Sequence, residues 1–465
     1  MERRCRERYM NLSSLFAPET VAVIGVSASN DRHPANVIFS KNLLRYPVKT
    51  YAVNVKGGSI DGEEVFSSVS AIPDSIDLAV IAVRAEYVPA VLAECIDAAV
   101  KSAIIISGGF SEAGHDDLQA SLVKLASGVD FPFVGPNCLG IYSPGVVDTF
   151  FLPAERMVQP AAGDVAVVSQ SGGILVDLLV KFAREGVGIS SAISIGNKAY
   201  IRELQLLEFL DADPHTGVIV FYVEGFARNE GRAFVQRAAK CRKPVIVLKA
   251  GKTSEGSQAV SSHTASLAGD YRVFASVLAQ YGIIEARNEL ELVSYCEALS
   301  CYPDTVIKGR VGIISGSGGH GAMAVDACVG GGLVVPRFTE AVQQSLRNSL
   351  SENIRTIASV ANPVDLTGSA VENDFIAAVE TFCEIPDIDS ILLLMLPYLP
   401  GISTDLGARL SKVYRRHGKP LIAYVPHVEK YSMLIEGFEL NRVPVASSIE
   451  SAVHMTHVLR RCRLC

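Results

Sequence analysis

The chain has 465 residues, 49% hydrophobic and 20% charged, a globular composition with length for about three domains. Its 42 lysines and arginines against 49 aspartates and glutamates leave a net charge of −7, which removes the electrostatic case for binding nucleic acid. No apolar run approaches the ~20 residues that span a bilayer, so the mean hydropathy of +0.29 points to buried sheet and not to a membrane.

The chain opens on a basic run, MERRCRERYMNLSS, without the apolar stretch of a signal peptide, and Met10 offers a second start. Short β-branched runs then alternate with amphipathic stretches. Val21–Val26, Tyr51–Val53, Leu78–Val83, Ala103–Ile106 and Phe131–Val134 are each too short for a buried helix and continuously apolar, as strands covered on both faces are. Between them Val88–Val100 reads as a helix with Pro89 in its first turn. This is the pattern of a parallel, doubly wound, Rossmann-like sheet. Pro144–Pro160 is poor in pattern and reads as a linker.

A second α/β unit follows, with strands near Val165–Val168, Ala192–Ile195, Val218–Val223 and Pro244–Leu248. After a boundary near Cys301–Arg310, a third runs through Val311–Ile314, Leu333–Val335, Ile391–Met395 and Leu421–Val425. GDVAVVSQSGG at Gly163 returns as GRVGIISGSGG at Gly309, 146 residues on, so the second and third units read as related folds. The domain reading is therefore 1–150, 151–303 and 304–465, all α/β. The ten cysteines have no repeated spacing and suit a reducing cytoplasm. Cys462 and Cys465 form a lone C-x-x-C in what reads as a frayed tail, so no metal centre is expected.

Candidate chemistry sits at the turns. Ser171-Gly172-Gly173 precedes Ile174, Leu175, Leu178, Leu179 and Phe182 at helical spacing, so small residues open a helix whose N–H groups can hold an anion. Ser317-Gly318-Gly319 repeats the arrangement, followed by His320 and Gly321. In one isolated turn, glycines that merely allow tight packing explain the pattern equally well; two at equivalent places favour phosphate. Neither turn is followed by the Gly-Lys-Ser/Thr of a P-loop.

The first turn, Gly25-Val26-Ser27-Ala28-Ser29, is not G-x-G-x-x-G, and the second strand runs into Asn54-Val55-Lys56 with no acidic residue for a ribose. That favours a phosphate-rich ligand other than NAD. His263 lies among small hydroxylated residues after a Gly/Ser/Lys-rich approach, Gly251–Ser262, which reads as a mobile loop. Glu224 ends the strand Val218–Val223, where a carboxylate faces a crevice and can orient a histidine, or can simply cap a following helix. Asn197, Lys198 and Lys249 end neighbouring strands and are expected at the same crevice.

Together these segments resemble the α subunit of ADP-forming acyl-CoA synthetases, in the succinyl-CoA synthetase superfamily. The resemblance runs from about Leu12 to about Arg460. It is carried by VAVIGVSAS at Val21, YAVNVKGGSIDG at Tyr51, IIISGGFSEAG at Ile104, VGPNCLGI at Val134, SQSGG at Ser169, IGNKAYI at Ile195, YVEG at Tyr222, SSHTASLAG at Ser261 and NPVDLTG at Asn362. It implies a Rossmann-like CoA-binding domain followed by two flavodoxin-like domains. It also implies transient phosphorylation of His263, supported by Glu224. CoA, the substrate, would be bound through Gly25, Ser27, Ser29, Asn54, Lys56 and the turn Ser107, Gly108, Gly109. Phosphate would be held by Ser171, Gly172 and Gly173 with Ser317, Gly318 and Gly319.

ADP or ATP with Mg2+ is then expected on a separate ATP-grasp β subunit, in an α2β2 assembly, because all three segments of this chain are already assigned. The family often has glycine where Ala265 stands and tyrosine where Ile195 stands. Two other readings are a non-catalytic CoA-binding regulatory module of the same fold, disfavoured by the retained His263 and Glu224, and an NAD-dependent dehydrogenase, disfavoured by the missing fingerprint.

Overall fold

The computed structural model describes residues 10–227, 229–263 and 270–460, the side chains of 261–263 excepted. The chain divides into two compact units, Met1–Ala286 and Arg287–Cys465. The basic run up to Tyr9, Ala265 and the pair Cys462 and Cys465 lie outside the described residues. Among the described residues no helix is long and apolar enough to cross a membrane.

The first unit holds two sheets. The first is built from β1 (Thr20–Ile24), β2 (Lys49–Val53), β3 (Gly58–Ile60), β4 (Glu63–Phe66), β5 (Leu78–Ile81), β6 (Ser102–Ile105) and β7 (Phe133–Val134). Their order is β3-β4-β2-β1-β5-β6-β7, and only the β3–β4 pairing is antiparallel. The apolar runs are continuous because both faces are covered. Val21, Val23, Leu78 and Val80 pack into one buried cluster, while Ala22, Ile24, Ala79 and Ile81 pack into another on the opposite face.

The helix Pro34–Arg45 returns β1 to β2, and the helix Val88–Asp97 has its proline in the first turn, as its sequence predicts. Because the chain passes from β1 to β2 on one side and comes back to β5 on the other, the switch point lies between β1 and β5. Gly25 follows β1 at φ +104°, and a Cβ there would stand 2.6 Å from the Ala82 carbonyl oxygen. Glycine is required for these two strand ends to approach.

The second sheet contains β8 (Gly140–Ser143), β9 (Val147–Asp148), β10 (Ala162–Ser169), β11 (Ile189–Ser194), β12 (Val218–Val223), β13 (Val245–Lys249) and β14 (Ile284–Ala286). The order is β14-β13-β12-β10-β11-β8-β9, parallel except at β8 and β9. The expected linker Pro144–Pro160 therefore carries a strand. Asp148, Thr149 and Phe150 are fully buried, and Asp148 pairs with Lys41 of the helix Pro34–Arg45 at 2.9 Å, so residues 147–150 of that stretch are core and not tether. Burial pushes the Asp148 carboxyl up against the opposing pull of Lys41.

The second unit is one parallel sheet of β15 (Val311–Ser315), β16 (Val364–Asp365), β17 (Ser390–Leu394), β18 (Leu421–Tyr424) and β19 (Val445–Ala446), ordered β16-β15-β17-β18-β19. That is the order of β11-β10-β12-β13-β14, so the sequence echo is a repeated topology. The turn geometry repeats too. Ser169 Oγ donates to the Ser171 carbonyl at 2.6 Å and accepts from the Ser171 N–H at 3.1 Å, and Ser315 does the same for Ser317 at 2.9 and 3.1 Å. The expected strand at Leu333–Val335 reduces to a single bridge between Val334 and Arg310. Pro336 follows it directly and has no N–H to extend a ladder.

Candidate functional site

The crevice of the second sheet opens where β10 meets β12, since the helices after β10 and β11 leave in opposite directions. At the end of β10, Ser171 is the N-cap of the helix Gly172–Arg184, its Oγ accepting from the Ile174 N–H at 3.4 Å. Gly172 packs closely on its inner side, where a Cβ would stand 3.3 Å from the Leu139 Cβ. The outer side of Gly173 is open, which leaves a helix N-terminus with unshielded backbone facing the crevice.

Glu224 stands directly across, one residue beyond β12. The next helix begins at Glu230, so Glu224 is not its cap. What places Glu224 is a residue that sequence reasoning quoted in a motif but did not single out. Gln170, buried, accepts from the N–H groups of Glu224 and Gly225 at 2.7 and 3.2 Å through Oε1. Its Nε2 donates to the Gly225 carbonyl at 2.8 Å and to Glu203. A side-chain amide thus replaces a strand partner at the point where the chain must turn into the crevice.

Lys198 and Lys249, expected to face the crevice, instead hold its floor. The Lys198 ammonium binds Glu203 at 2.6 Å and the Gly225 carbonyl at 2.6 Å. That of Lys249 binds the Glu224 carbonyl at 2.7 Å and the Ala250 carbonyl. Burial lowers the Lys249 pKa, opposed by the Glu224 carboxylate.

His263 is the last residue of a helix, Ser254–His263, and its side chain lies outside the described residues, as do residues 264–269. The expected loop is therefore helical over most of its length. Thr253 supplies the cap, with Oγ1 accepting from the Gly256 N–H at 3.0 Å and its carbonyl taking the first i+4 bond from Ser257 at 2.8 Å.

The crevice is a cavity of about 840 Å3. It runs from Ile106 and Asn137 of the first sheet's loops to Gly172, Gly173, Glu224 and Val260. Three backbone bonds join the sheets at this point: the N–H groups of Asn197, Ala199 and Ile201 donate to the Pro136, Gly135 and Phe133 carbonyls at 2.9, 3.0 and 3.3 Å. Gly196, at φ +53°, leaves no room for a Cβ, which would stand 2.2 Å from the Asn137 carbonyl oxygen. The VGPNCLGI and IGNKAYI stretches are thus the seam between the two sheets.

The remaining expected contacts cluster at the C-terminal ends of the first sheet. Ser27 is fixed by Asn36, which accepts from its N–H at 2.7 Å and donates to its carbonyl at 2.8 Å. Asn54 donates to the Val26 carbonyl at 2.7 Å and accepts from the Lys56 N–H at 2.9 Å, so it ties the β1 and β2 loops together. Ser29 lies near Ser27, with their hydroxyls 3.4 Å apart. In the β6 turn the Ser107 hydroxyl donates to the Val83 carbonyl at 2.5 Å, next to exposed Gly108.

The Gly109 N–H is taken by Glu112 at 2.5 Å, whose other carboxylate oxygen accepts from Asn197. Burial pushes the Glu112 carboxyl up, but these bonds outweigh it and hold it below the ordinary carboxylate value. Glu112 and Asn36 were legible only as polar residues near a motif. Ser317, Gly318 and Gly319 open the helix Gly318–Gly330 in the second unit.

Three family models match the chain: a CoA binding domain over residues 19–144, a succinyl-CoA ligase-like flavodoxin domain over 162–299, and a ligase-CoA domain over 311–425. The Pyrococcus furiosus α subunit of acetate–CoA ligase [ADP-forming] I is 34% identical over 459 residues, covering 96% of each chain. Acetate–CoA ligase [ADP-forming] I of Archaeoglobus fulgidus is 37% identical over 392 residues, 83% of this chain; that match takes in 55% of the Archaeoglobus protein, so the chain corresponds to about half of it. Among solved structures, the Ca. Korarchaeum cryptofilum dinucleotide forming acetyl-coenzyme A synthetase 1, in complex with phosphate and ADP, superposes with a TM-score of 0.86 at 30% identity, over 97% of this chain and 96% of that one.

Proposed function

The chain belongs to the family of ADP-forming acetate–CoA ligase α subunits, and from that premise we propose that it carries the acyl-transfer half of such an enzyme. The reaction is acyl-CoA, phosphate and ADP to carboxylic acid, CoA and ATP. In the first step a phosphate oxygen attacks the thioester carbonyl carbon; the C–O bond forms, the C–S bond breaks, and CoA leaves as thiolate and takes up a proton. His263 then attacks phosphorus through a ring nitrogen, and the acyl-oxygen bond to phosphorus breaks to release the carboxylate. Phosphohistidine finally delivers its phosphoryl group to ADP.

The single observation that carries this reading is the convergence, around one cavity, of the Gly172–Gly173 helix N-terminus, Glu224 and the helix that ends at His263. Ala259 and Val260 line that cavity, and His263 stands one helical turn beyond them. Phosphoryl transfer needs little covalent help from a protein. Catalysis is positioning plus preorganised donors for the equatorial oxygens, which a helix N-terminus supplies without reorganisation. Glu224 orients the imidazole and stabilises its cationic form. The Ser317–Gly319 turn opens a comparable helix, Gly318–Gly330, within the second unit. CoA is held at the ends of β1, β2 and β6, by the turns around Ser27, Lys56 and Gly108.

The nucleotide and its Mg2+ belong to an ATP-grasp β subunit in a hetero-oligomer; the name of the Pyrococcus relative, a subunit alpha, supports this. The test is a coupled ATP assay on the purified chain, with and without that partner. The chain alone is expected to accept phosphate but to make no ATP from ADP, and adding the partner is expected to restore synthesis. Robust ATP formation by the chain alone contradicts the proposal.

A further inference from the structure

Among the described residues, Phe151 alone is shared by the linings of two cavities in the first unit. One is the 840 Å3 crevice that holds Gly172, Gly173 and Glu224; the other, about 510 Å3, has an apolar strip of Val37, Leu44 and Pro153 and a charged remainder that includes Arg32, Arg45 and Glu155. Its half-buried ring is the partition between them.

The partition is held with unusual care. The Lys41 ammonium, with its side chain 4% exposed, donates to the Phe150 carbonyl at 2.6 Å and to the Leu152 carbonyl at 3.2 Å, the two carbonyls that flank Phe151. Its remaining partner is the Asp148 carboxylate at 2.9 Å. Asn42 adds a reciprocal pair with the Asp148 backbone, at 2.7 and 3.0 Å. Desolvating an ammonium is costly, and this one is spent entirely on fixing the chain at 148–152.

An acyl group joined to a phosphate at Gly172–Gly173 must lie against the apolar part of the crevice. That part includes Leu139 beside Gly172, Val176 one turn into the helix, Leu152 and Phe151, with Ile106 and Val260 also lining the crevice. Resting on the acyl-transfer reading above, we propose that Phe151 sets the length of acyl chain the site accepts, limiting it to short apolar groups, with Lys41 as the positioning residue that holds the limit. A chain that reaches the ring stops there. Without the ring it gains room along the apolar strip of Val37, Leu44 and Pro153 in the second cavity.

The test is equilibrium binding, by calorimetry, of acetyl-, butyryl-, hexanoyl- and octanoyl-CoA to the full chain and to Phe151→Ala and Phe151→Trp. Each buried methylene is worth roughly fourfold in affinity until the wall is met. The native chain is expected to peak at a short length. Phe151→Ala is expected to bind hexanoyl- or octanoyl-CoA about tenfold better relative to acetyl-CoA, and Phe151→Trp to lose butyryl-CoA while keeping acetyl-CoA. Lys41→Met should broaden the native length profile, whereas a purely structural loss would lower all four affinities alike. Identical profiles in the native chain and both Phe151 variants overturn the proposal. A shifted profile with no phosphate on His263 retains it and removes the phosphoryl-transfer reading instead.

Discussion

His263→Ala is expected to abolish covalent labelling of the chain by radioactive phosphate in the presence of an acyl-CoA. Net ATP synthesis with the partner should fall by a factor on the order of 10⁴–10⁶, the scale on which removing a nucleophile acts. The loss should be selective. Attack of phosphate on the thioester does not use the imidazole, so CoA release and an acyl phosphate that can be trapped with hydroxylamine should persist in the variant. The helix Ser254–His263 is capped at Thr253, at its other end, so alanine at its last position leaves the cap intact. Labelling that continues undiminished in the alanine variant places the nucleophile elsewhere.

Glu224→Gln is expected to lower the yield and rate of phosphohistidine formation by about 10²–10⁴, the range of a lost general-base or orienting group. The fold should survive, because the bonds that place residue 224 are made by its backbone. Its N–H goes to Gln170 and its carbonyl receives Lys249, and neither depends on the carboxylate. Glutamine keeps the volume and removes the charge that stabilises an imidazolium. Unchanged turnover at an unchanged melting temperature reduces Glu224 to a structural group.

The strands were legible because they are buried on both faces. Val218–Val223 is apolar along its whole length and coincides with β12, and Val311–Ile314 misses β15 by one residue. β8 and β9 were not legible. They are four and two residues long and antiparallel, and β9 is fixed at Asp148 by Lys41 and Asn42, more than a hundred positions earlier. The helix ending at His263 was hidden by its composition, since Gly256 and four serines read as a loop. Only the Thr253 cap and the packing of Ala259 and Val260 at the cavity decide for helix.

At the site, the residue types at strand ends were readable and their partners were not. Glu224 and the Gly172–Gly173 turn follow from position in an α/β sheet. Gln170 does not, because its role rests on four bonds to residues 203, 224 and 225, and those meet only when β10 and β12 pair. Lys198 and Lys249 show the opposite error. A lysine at a strand end looks like an anion ligand, yet buried Lys249 and half-buried Lys198 both donate to backbone carbonyls and serve as struts.

The most direct measurement of the central claim is a chase. The chain is labelled with radioactive phosphate and an acyl-CoA, freed of small molecules, and mixed with the ATP-grasp partner, ADP and Mg2+. The account predicts that label leaves the protein and appears in ATP, mole for mole, with no further acyl-CoA required. Label that stays on the chain while ATP accumulates from added acyl-CoA and unlabelled phosphate contradicts it, because phosphate would then reach ADP without passing through the protein.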